Sequence, residues 1–265
     1  MRRILSAVSL CVLAVCSINT TTAQAETTEQ LLDLTHSFDE HTIYWPTEDG
    51  FKLIKEAAGF TEQGYYYAAN RLMCAEHGGT HLDAPVHFFE KGVPVDQISL
   101  RRLVGSGACV DVSEKCSADR DYQVAVEDFE KWEADNSASL EDRIVLIRTG
   151  FGRHWPDRAK YLGTAEQGKA AVAKLHFPGL DPAAADWLIT RRQIRLVGID
   201  TASIDYGQTD VYATHQRLFR GGVPALENVA VIDALPADGF TVVALPMKIK
   251  GGSGAPCRVV AEIAQ

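Results

Sequence analysis

The sequence has little that would hold the chain in a membrane. Its one strongly apolar run covers residues 4–15, follows an arginine pair, and is shorter than the roughly 20 residues that a transmembrane helix needs. An Ala-Gln-Ala sequence ending at Ala25 supplies the small residues of a cleavage site. We therefore expect residues 1–25 to be a removable signal peptide, residues 26–265 to form the mature chain without a membrane span, and the protein to be exported to the periplasm or secreted.

Positive charge is scarce. The chain has 26 lysines and arginines against 35 aspartates and glutamates, a formal net charge of −9. No basic stretch or aromatic-rich nucleic-acid motif interrupts this acidic composition, and an acidic surface repels phosphate backbones. We expect no nucleic-acid partner and a small molecule instead.

Paired cysteine motifs are also missing. Two of the six cysteines lie in the expected signal peptide, and the other four form no Cys-x-x-Cys pair. These four are Cys74, Cys109, Cys116 and Cys257. A chain of this size needs no disulfide staples, so we expect small, buried, unpaired cysteines. Because the expected compartment is oxidising, one disulfide remains open as an alternative, with Cys109 and Cys116 as its best candidates.

No internal repeat and no long linker divides the mature sequence, so we expect one domain. Short apolar runs that are typical of strands cover 144–147, 194–199, 229–232 and 240–245. Asp181 and Pro182 form a helix start, which predicts a helix ending near Arg192, and 124–132 is a second helical segment. Irregular alternation of the two types predicts a mixed α/β sheet.

The most informative segment covers residues 76–88. It holds three of the eight histidines, His77, His81 and His87, together with Asp83. Glycines and a proline argue against a helix here. In an extended chain alternate residues share a face, so these four side chains are expected on one side, with Leu82, Val86 and Phe88 on the other.

Imidazole and carboxylate groups in this pattern indicate a metal site. They suit zinc, manganese or ferrous iron. Three protein ligands leave coordination positions open, which is typical of a catalytic site and not of a closed structural one. The glycine-rich segment 251–254 lacks the form of a phosphate-binding loop, and we interpret it as a structural turn.

The segment matches His-x-Gly-Thr-His-x-Asp-x-Pro-x-His-Phe and resembles the metal-dependent cyclase family, which includes kynurenine formamidases and isatin hydrolases. Further similarity extends over most of the mature chain, at 33–35, 45–46, 148–150, 198–201, 246–248 and 251–252. The resemblance implies an α/β fold, a single mixed-sheet domain of the swivelling β/β/α type. It also implies a homo-oligomer, a dimer or larger.

The resemblance assigns roles to particular residues. It implies that His77, His81 and Asp83 bind a first metal ion and that His87 moves protons without binding metal. The formamidase branch holds a second ion, with the motif aspartate as the bridge and a His and a Glu twelve residues apart as added ligands. His215 and Glu227 have that spacing and flank Gly221-Gly222. We expect divalent zinc or manganese, two ions per chain.

The function that follows is a metal-dependent hydrolase that cleaves a non-peptide amide bond of a small aromatic substrate, of the arylformamidase kind. Two alternatives stay open: an isatin-type hydrolase of cyclic amides with a single manganese, and a periplasmic metal-binding protein without turnover. Several aromatic residues could wall a substrate pocket: Tyr44, Trp45, Phe51, Tyr65, Tyr66, Tyr67 and Phe88. The four remaining histidines are interpreted as structural or exposed.

Overall fold

The computed structural model describes residues 30–263, so the expected signal peptide lies outside the described residues. The strands are Gln30–Asp33 (β1), Lys52–Phe60 (β2), Tyr66–Met73 (β3), His81–Asp83 (β4), Val104–Asp111 (β5), Gln123–Val124 (β6), Ile144–Arg148 (β7), Gly179–Leu180 (β8), Leu196–Ile199 (β9), Ala225–Glu227 (β10), Phe240–Pro246 (β11) and Gly254–Ile263 (β12). The α-helices are Leu100–Leu103 (α1), Ser113–Ala118 (α2), Val126–Asn136 (α3), Arg158–Leu162 (α4), Lys169–Val172 (α5), Pro182–Arg191 (α6) and Ala213–Arg220 (α7). Short 3₁₀ turns lie at Pro85–His87, Val95–Gln97, Phe151–His154 and Ile232–Ala234.

Eight strands form one mixed sheet in the order β1-β12-β11-β5-β7-β9-β10-β4. Strands β5, β7, β9 and β10 run parallel, and antiparallel pairs complete the sheet. The first residues of β12 also pair with β4, in the register Gly254↔Asp83 and Pro256↔His81. This pairing closes the sheet into a barrel-like ring, and it confirms the predicted mixed α/β fold.

The central strands are apolar because both of their faces are covered. In β7, Val145 and Ile147 pack toward the helices, while Ile144 and Leu146 belong to a second apolar cluster on the other face of the sheet. Successive side chains of a strand point to opposite faces, which explains this alternation. Among residues 30–263, no helix has the length and apolar character that crossing a membrane requires.

Several predicted elements are confirmed. Helix α6 begins after Asp181, whose Oδ1 accepts the backbone N–H of Ala183 at 2.7 Å, as expected of a helix cap. The runs at 144–147 and 240–245 are strands, and the run at 194–199 becomes a strand from Leu196. Helix α3 begins at Val126 and not at 124, because Val124 pairs with Leu180 in a small parallel sheet.

The expected strand at 229–232 is wrong. Asn228 and Val231 have left-handed backbone conformations, with φ of 54° and 50°. The segment therefore turns, and a 3₁₀ turn begins at Ile232. The alternative disulfide is not formed either, because Cys109 and Cys116 are both free and buried, as the unpaired interpretation predicts.

Strands β2 and β3 form a separate two-stranded ribbon. Nearly every residue of both strands is exposed, on both faces of the ribbon. The exposed side chains include the large apolar residues Leu53, Ile54, Phe60, Tyr66, Leu72 and Met73. The end of β3 leads directly into the histidine segment, so the ribbon is joined to the site described next.

Candidate metal centre

The five predicted metal ligands lie together at one end of the sheet. Strand β4 carries His81 and Asp83 between β10 and β12, and Glu227 lies opposite His81 in the β10–β4 register. Helix α7 contributes His215, and the loop before β4 contributes His77. All except His77 are almost fully buried. Residues from four parts of the chain therefore converge on one buried point.

Asp83 is the hub of the cluster. Its Oδ1 lies 2.6 Å from Nδ1 of His77 and 3.1 Å from Nε2 of His81, while its Oδ2 lies 3.2 Å from Nε2 of His215. Glu227 closes the far side, with Oε1 3.1 Å from Nε2 of His215 and Oε2 3.5 Å from Nε2 of His81. The two Asp83 oxygens thus face different histidines, as a bridging carboxylate would.

Two histidines are held by the nitrogen that points away from the cluster. Nδ1 of His81 lies 2.9 Å from the carbonyl oxygen of Gly79, and Nδ1 of His215 lies 2.6 Å from Oδ2 of Asp205. In each case the outer nitrogen donates its proton to an oxygen. The inner Nε2 is then left as a lone-pair donor for a metal ion.

His77 has the same arrangement with its nitrogens exchanged. Nε2 of His77 lies 2.8 Å from the hydroxyl of Ser253, and that hydroxyl donates to Oε2 of Glu76 at 2.6 Å. The Ser253 oxygen can therefore accept the Nε2–H proton. Nδ1, which faces Asp83, is left free to bind metal.

The residues fit a divalent cation. Nε2 of His81 is buried and has no hydrogen-bond partner among the described residues, although it points into the cluster. Burial opposes a charged His81, yet Asp83 and Glu227 outweigh it and raise its pKa to about 9. Burial likewise opposes ionisation of Asp83, but His77 and His81 hold the pKa of this carboxyl below its usual range. The cluster therefore stabilises positive charge, which a metal ion would supply.

His87 lies beside the cluster. Its ring stacks on that of His77, with the centroids 3.8 Å apart and the planes at 15°. A ring nitrogen of His87 lies within 4.8 Å of ligand atoms of His77 and Asp83. Burial lowers the pKa of His87 to about 4, so its imidazole is neutral near pH 7.

The predicted extended segment is correct only in part. Residues 81–83 are a strand, but Pro85–His87 is a 3₁₀ turn, and His77 lies in the preceding loop. The turn, rather than strand alternation, brings His87 back to the cluster. It also carries Phe88 to the side of the histidines, where its ring centroid lies 4.6 Å from that of His215. Leu82 and Val86 pack into the apolar core as expected.

A cavity of about 480 Å³ leads to the cluster. Four aromatic residues line it, namely Tyr44, Trp45, Phe88 and Tyr212. The prediction of an aromatic wall is right for the first three. It is wrong for Phe51 and for the three tyrosines at 65–67, which lie outside this lining, the tyrosines being exposed at the ribbon.

Sequence reasoning missed the residues that support the ligands. Asp205 had no recognised motif around it, although it lies ten residues before His215. Ser253 lies in the glycine-rich segment interpreted as a plain turn, and Glu76 lies at the start of the histidine segment. Tyr212 was missed as well, although it lies three residues before His215.

A closed mixed sheet with buried imidazole and carboxylate groups at the base of an aromatic cavity is the arrangement expected of a metal-dependent hydrolase. Residues 32–206 match the model of the family described as putative cyclase, and the chain belongs to this family. The match confirms the resemblance found in the sequence.

Similar proteins agree with this assignment. An isatin hydrolase of Roseibium aggregatum is 28% identical over 219 residues, which cover 79% of this chain and 80% of that protein. A kynurenine formamidase of Bacillus cereus is 27% identical over 236 residues, with 88% and 97% coverage. The solved structure of isatin hydrolase A from Labrenzia aggregata bound to benzyl benzoate has a TM-score of 0.80 and 30% identity, and it covers 89% of this chain and 94% of that one. The predicted fold is therefore confirmed.

Proposed function

We propose that this protein hydrolyses an amide bond of a small aromatic molecule, as an arylformamidase does. One observation carries the proposal: three histidines present their free nitrogens to two buried carboxylates at the base of an aromatic cavity, and each histidine is held by its other nitrogen. Named relatives are kynurenine formamidases and isatin hydrolases, which supports an aromatic amide as the substrate.

We assign the metal ligands as two overlapping sets. His77, His81 and Asp83 would hold a first ion, and Asp83, His215 and Glu227 would hold a second. The short distances from both Asp83 oxygens to histidine nitrogens support this assignment. Nitrogen and oxygen donors of this kind suit zinc or manganese.

A divalent ion held by these residues would lower the pKa of water from nearly 16 to about 7 and would polarise a carbonyl oxygen. His87 is placed to accept a proton from the attacking water and to return it to the leaving nitrogen, because its imidazole is neutral and adjoins the cluster. Trp45 and Phe88 would hold the aromatic ring of the substrate and exclude bulk water.

Hydrolysis of a cyclic amide by a single manganese ion is the second proposal. It is favoured by the solved isatin hydrolases, whose TM-scores of 0.79 to 0.80 exceed those of the other solved cyclase-family structures described as metal-dependent hydrolases. Against it, Nε2 of His215 lies 3.1 Å from Oε1 of Glu227, and these two residues would complete a second ligand set with Asp83. A metal-binding protein without turnover is the third alternative, and it gives no role to His87.

The test is turnover of N-formylkynurenine and isatin by the purified protein loaded with zinc or manganese. We expect cleavage of the formamide, and we expect His87→Ala to lose at least about a hundredfold in kcat while it retains its metal. His41→Ala, at an exposed histidine, is the matched control. Ring opening of isatin alone would support the second proposal, and loss of metal in His87→Ala would make His87 a ligand.

We also propose that the protein is exported after removal of residues 1–25, as the apolar run and the Ala-Gln-Ala sequence suggest. The intact mass of the protein recovered from the periplasm or medium tests this proposal. A mature chain beginning at Glu26 is the expected result, and full-length protein confined to the cytoplasm would contradict it.

A homo-oligomer, a dimer or larger, is the state that we propose in solution. The β2–β3 ribbon supports it, because Phe60 is 80% exposed and Tyr66 is 60% exposed on a ribbon that no other part of residues 30–263 covers. Light scattering measures the molar mass. We expect Phe60→Glu to lower the mass toward one chain, whereas a monomeric wild type would contradict the proposal.

A further inference from the structure

Acidic side chains line the cavity, and apart from the histidines no basic side chain joins them among the described residues. The lining residues that the structure describes include four carboxylates, Glu48, Glu76, Asp83 and Glu227, and neither a lysine nor an arginine. Away from the histidine cluster, a substrate with a carboxylate substituent would therefore find no lysine or arginine in this lining to pair with. The side chains of the cavity instead suit a substituent that is neutral or positively charged.

Three of the four carboxylates already have partners. Glu76 accepts from Ser253, Asp83 faces the histidines, and Glu227 accepts the backbone N–H of Ile204 at 2.8 Å. Glu48 is less engaged. Its carboxylate accepts a hydrogen bond from the exposed hydroxyl of its neighbour Thr47, at 3.2 Å. It lies at the exposed end of the cavity, whereas the metal ligands lie at the buried end.

The position of Glu48 is set by a turn. Its backbone N–H donates to the carbonyl oxygen of Trp45 at 3.0 Å, and the carbonyl oxygen of Pro46 accepts the N–H of Gly168 at 2.7 Å. The turn brings Glu48 and Trp45 into the lining of the same cavity, and the Trp45 ring packs edge-on against Tyr212 with the centroids 6.3 Å apart. A carboxylate beside aromatic rings is a combination that binds ammonium groups.

We propose that this cavity selects aromatic amides that carry a cationic substituent remote from the scissile amide, and that Glu48 determines this specificity. The ammonium group would bind the Glu48 carboxylate and the faces of Trp45 and Tyr212, while the amide reaches the histidine cluster. This inference rests on the proposed amide hydrolysis and adds the charge class of the substrate.

The experiment compares three formanilides with para substituents that differ in charge: aminomethyl, hydroxymethyl and carboxymethyl. For the metal-loaded wild type we expect kcat/KM to be about tenfold higher for the cationic substrate than for the anionic one. Glu48→Gln should reduce this ratio about fivefold, and Glu48→Lys should reverse the preference. Glu130→Gln, at an exposed glutamate on α3 that does not line the cavity, should keep the wild-type ratio.

Binding of the three corresponding anilines, measured by calorimetry, separates this inference from the proposed function. If no formanilide is cleaved but the cationic aniline binds most tightly in a manner that depends on Glu48, the proposed reaction is wrong and the charge selection stands. Cleavage without a preference for the cation, or with a preference that Glu48→Gln and Glu48→Lys do not change, overturns the charge selection.

Discussion

Oδ2 of Asp205 lies 2.6 Å from Nδ1 of His215 and 3.1 Å from the backbone nitrogen of the same residue. The other oxygen of Asp205 accepts the N–H of Thr214 at 2.9 Å. One buried carboxylate thus fixes both the ring of His215 and the first turn of α7. As a result, Nε2 of His215 points at Asp83 and Glu227.

Removing the charge of Asp205 should weaken metal binding at His215. We expect Asp205→Asn to lower the affinity for the ion proposed to bind His215 by about tenfold, because a carboxylate partner orients a metal-binding imidazole and makes it more basic. Competition with a chelator measures this affinity. Asp210→Asn, at an exposed aspartate of the same loop, is the control. Equal affinities in the wild type and Asp205→Asn would contradict the role of Asp205.

Ser253 should orient His77 in the way that Asp205 orients His215. Ser253→Ala removes the oxygen that accepts from Nε2 of His77, so the ring loses the contact that leaves Nδ1 free. We expect metal affinity to fall about tenfold, with a smaller loss in Glu76→Gln. Chelator competition is again the measurement, and Ser139→Ala at an exposed turn should match the wild type. An unchanged affinity in Ser253→Ala would show that the hydroxyl does not orient His77.

Gly78 should tolerate no side chain. A Cβ there would lie 2.1 Å from Cδ1 of Tyr44, the ring that packs on the backbone between His77 and Gly79. We expect Gly78→Ala to lower the free energy of unfolding by about 1–3 kcal/mol and to reduce activity, since the ring or the His77 loop must move. Gly50→Ala, where no atom lies within 4 Å, is the control in denaturant unfolding. Equal stability of the two variants would contradict the close packing.

Acid should destabilise the fold through His36. Burial lowers the pKa of His36 to about 4, and its ring stacks on Trp155 with the centroids 4.1 Å apart. The unfolded chain, with a histidine pKa near 6.5, binds this proton first as the pH falls. The free energy of unfolding therefore decreases between about pH 6.5 and 4.

The variant His36→Phe keeps a stacked ring but cannot bind a proton. Between pH 7 and pH 4, we expect the free energy of unfolding of the wild type to fall by about 1–3 kcal/mol more than that of His36→Phe. Denaturant unfolding at several pH values measures the difference. His41→Phe, at an exposed histidine, should show no comparable pH dependence. A wild type and His36→Phe that lose stability in parallel would contradict the assignment.

The sequence predicted those elements whose signals are local. Asp181 and Pro182 mark the start of α6, and the apolar run from Ile144 is a buried strand. The strand predicted from Val229 is wrong, because an apolar sequence does not show where the backbone turns. There the chain turns after Asn228, and the N–H of Val229 donates to the carbonyl of Ile199.

In the site, too, residues with a local sequence signal could be predicted and residues without one could not. His77, His81, Asp83 and His87 could be found because they lie within eleven residues. His215 and Glu227 were predicted from the twelve-residue spacing that the family resemblance implies. Ser253 could not be found, because its contact with His77 spans 176 residues and depends on the pairing of β12 with β4. Supporting contacts of this kind arise from the closure of the sheet, which no local pattern records.

Metal content per chain tests the central claim most directly. The mature protein should bind two divalent ions per chain, measured by elemental analysis after loading and dialysis. Glu227→Ala should bind one, because it removes a ligand of only the second set, and Glu130→Ala should bind two. A wild type that holds fewer than two ions, or a Glu227→Ala protein that still holds two, would contradict the assignment of two overlapping ligand sets joined by Asp83.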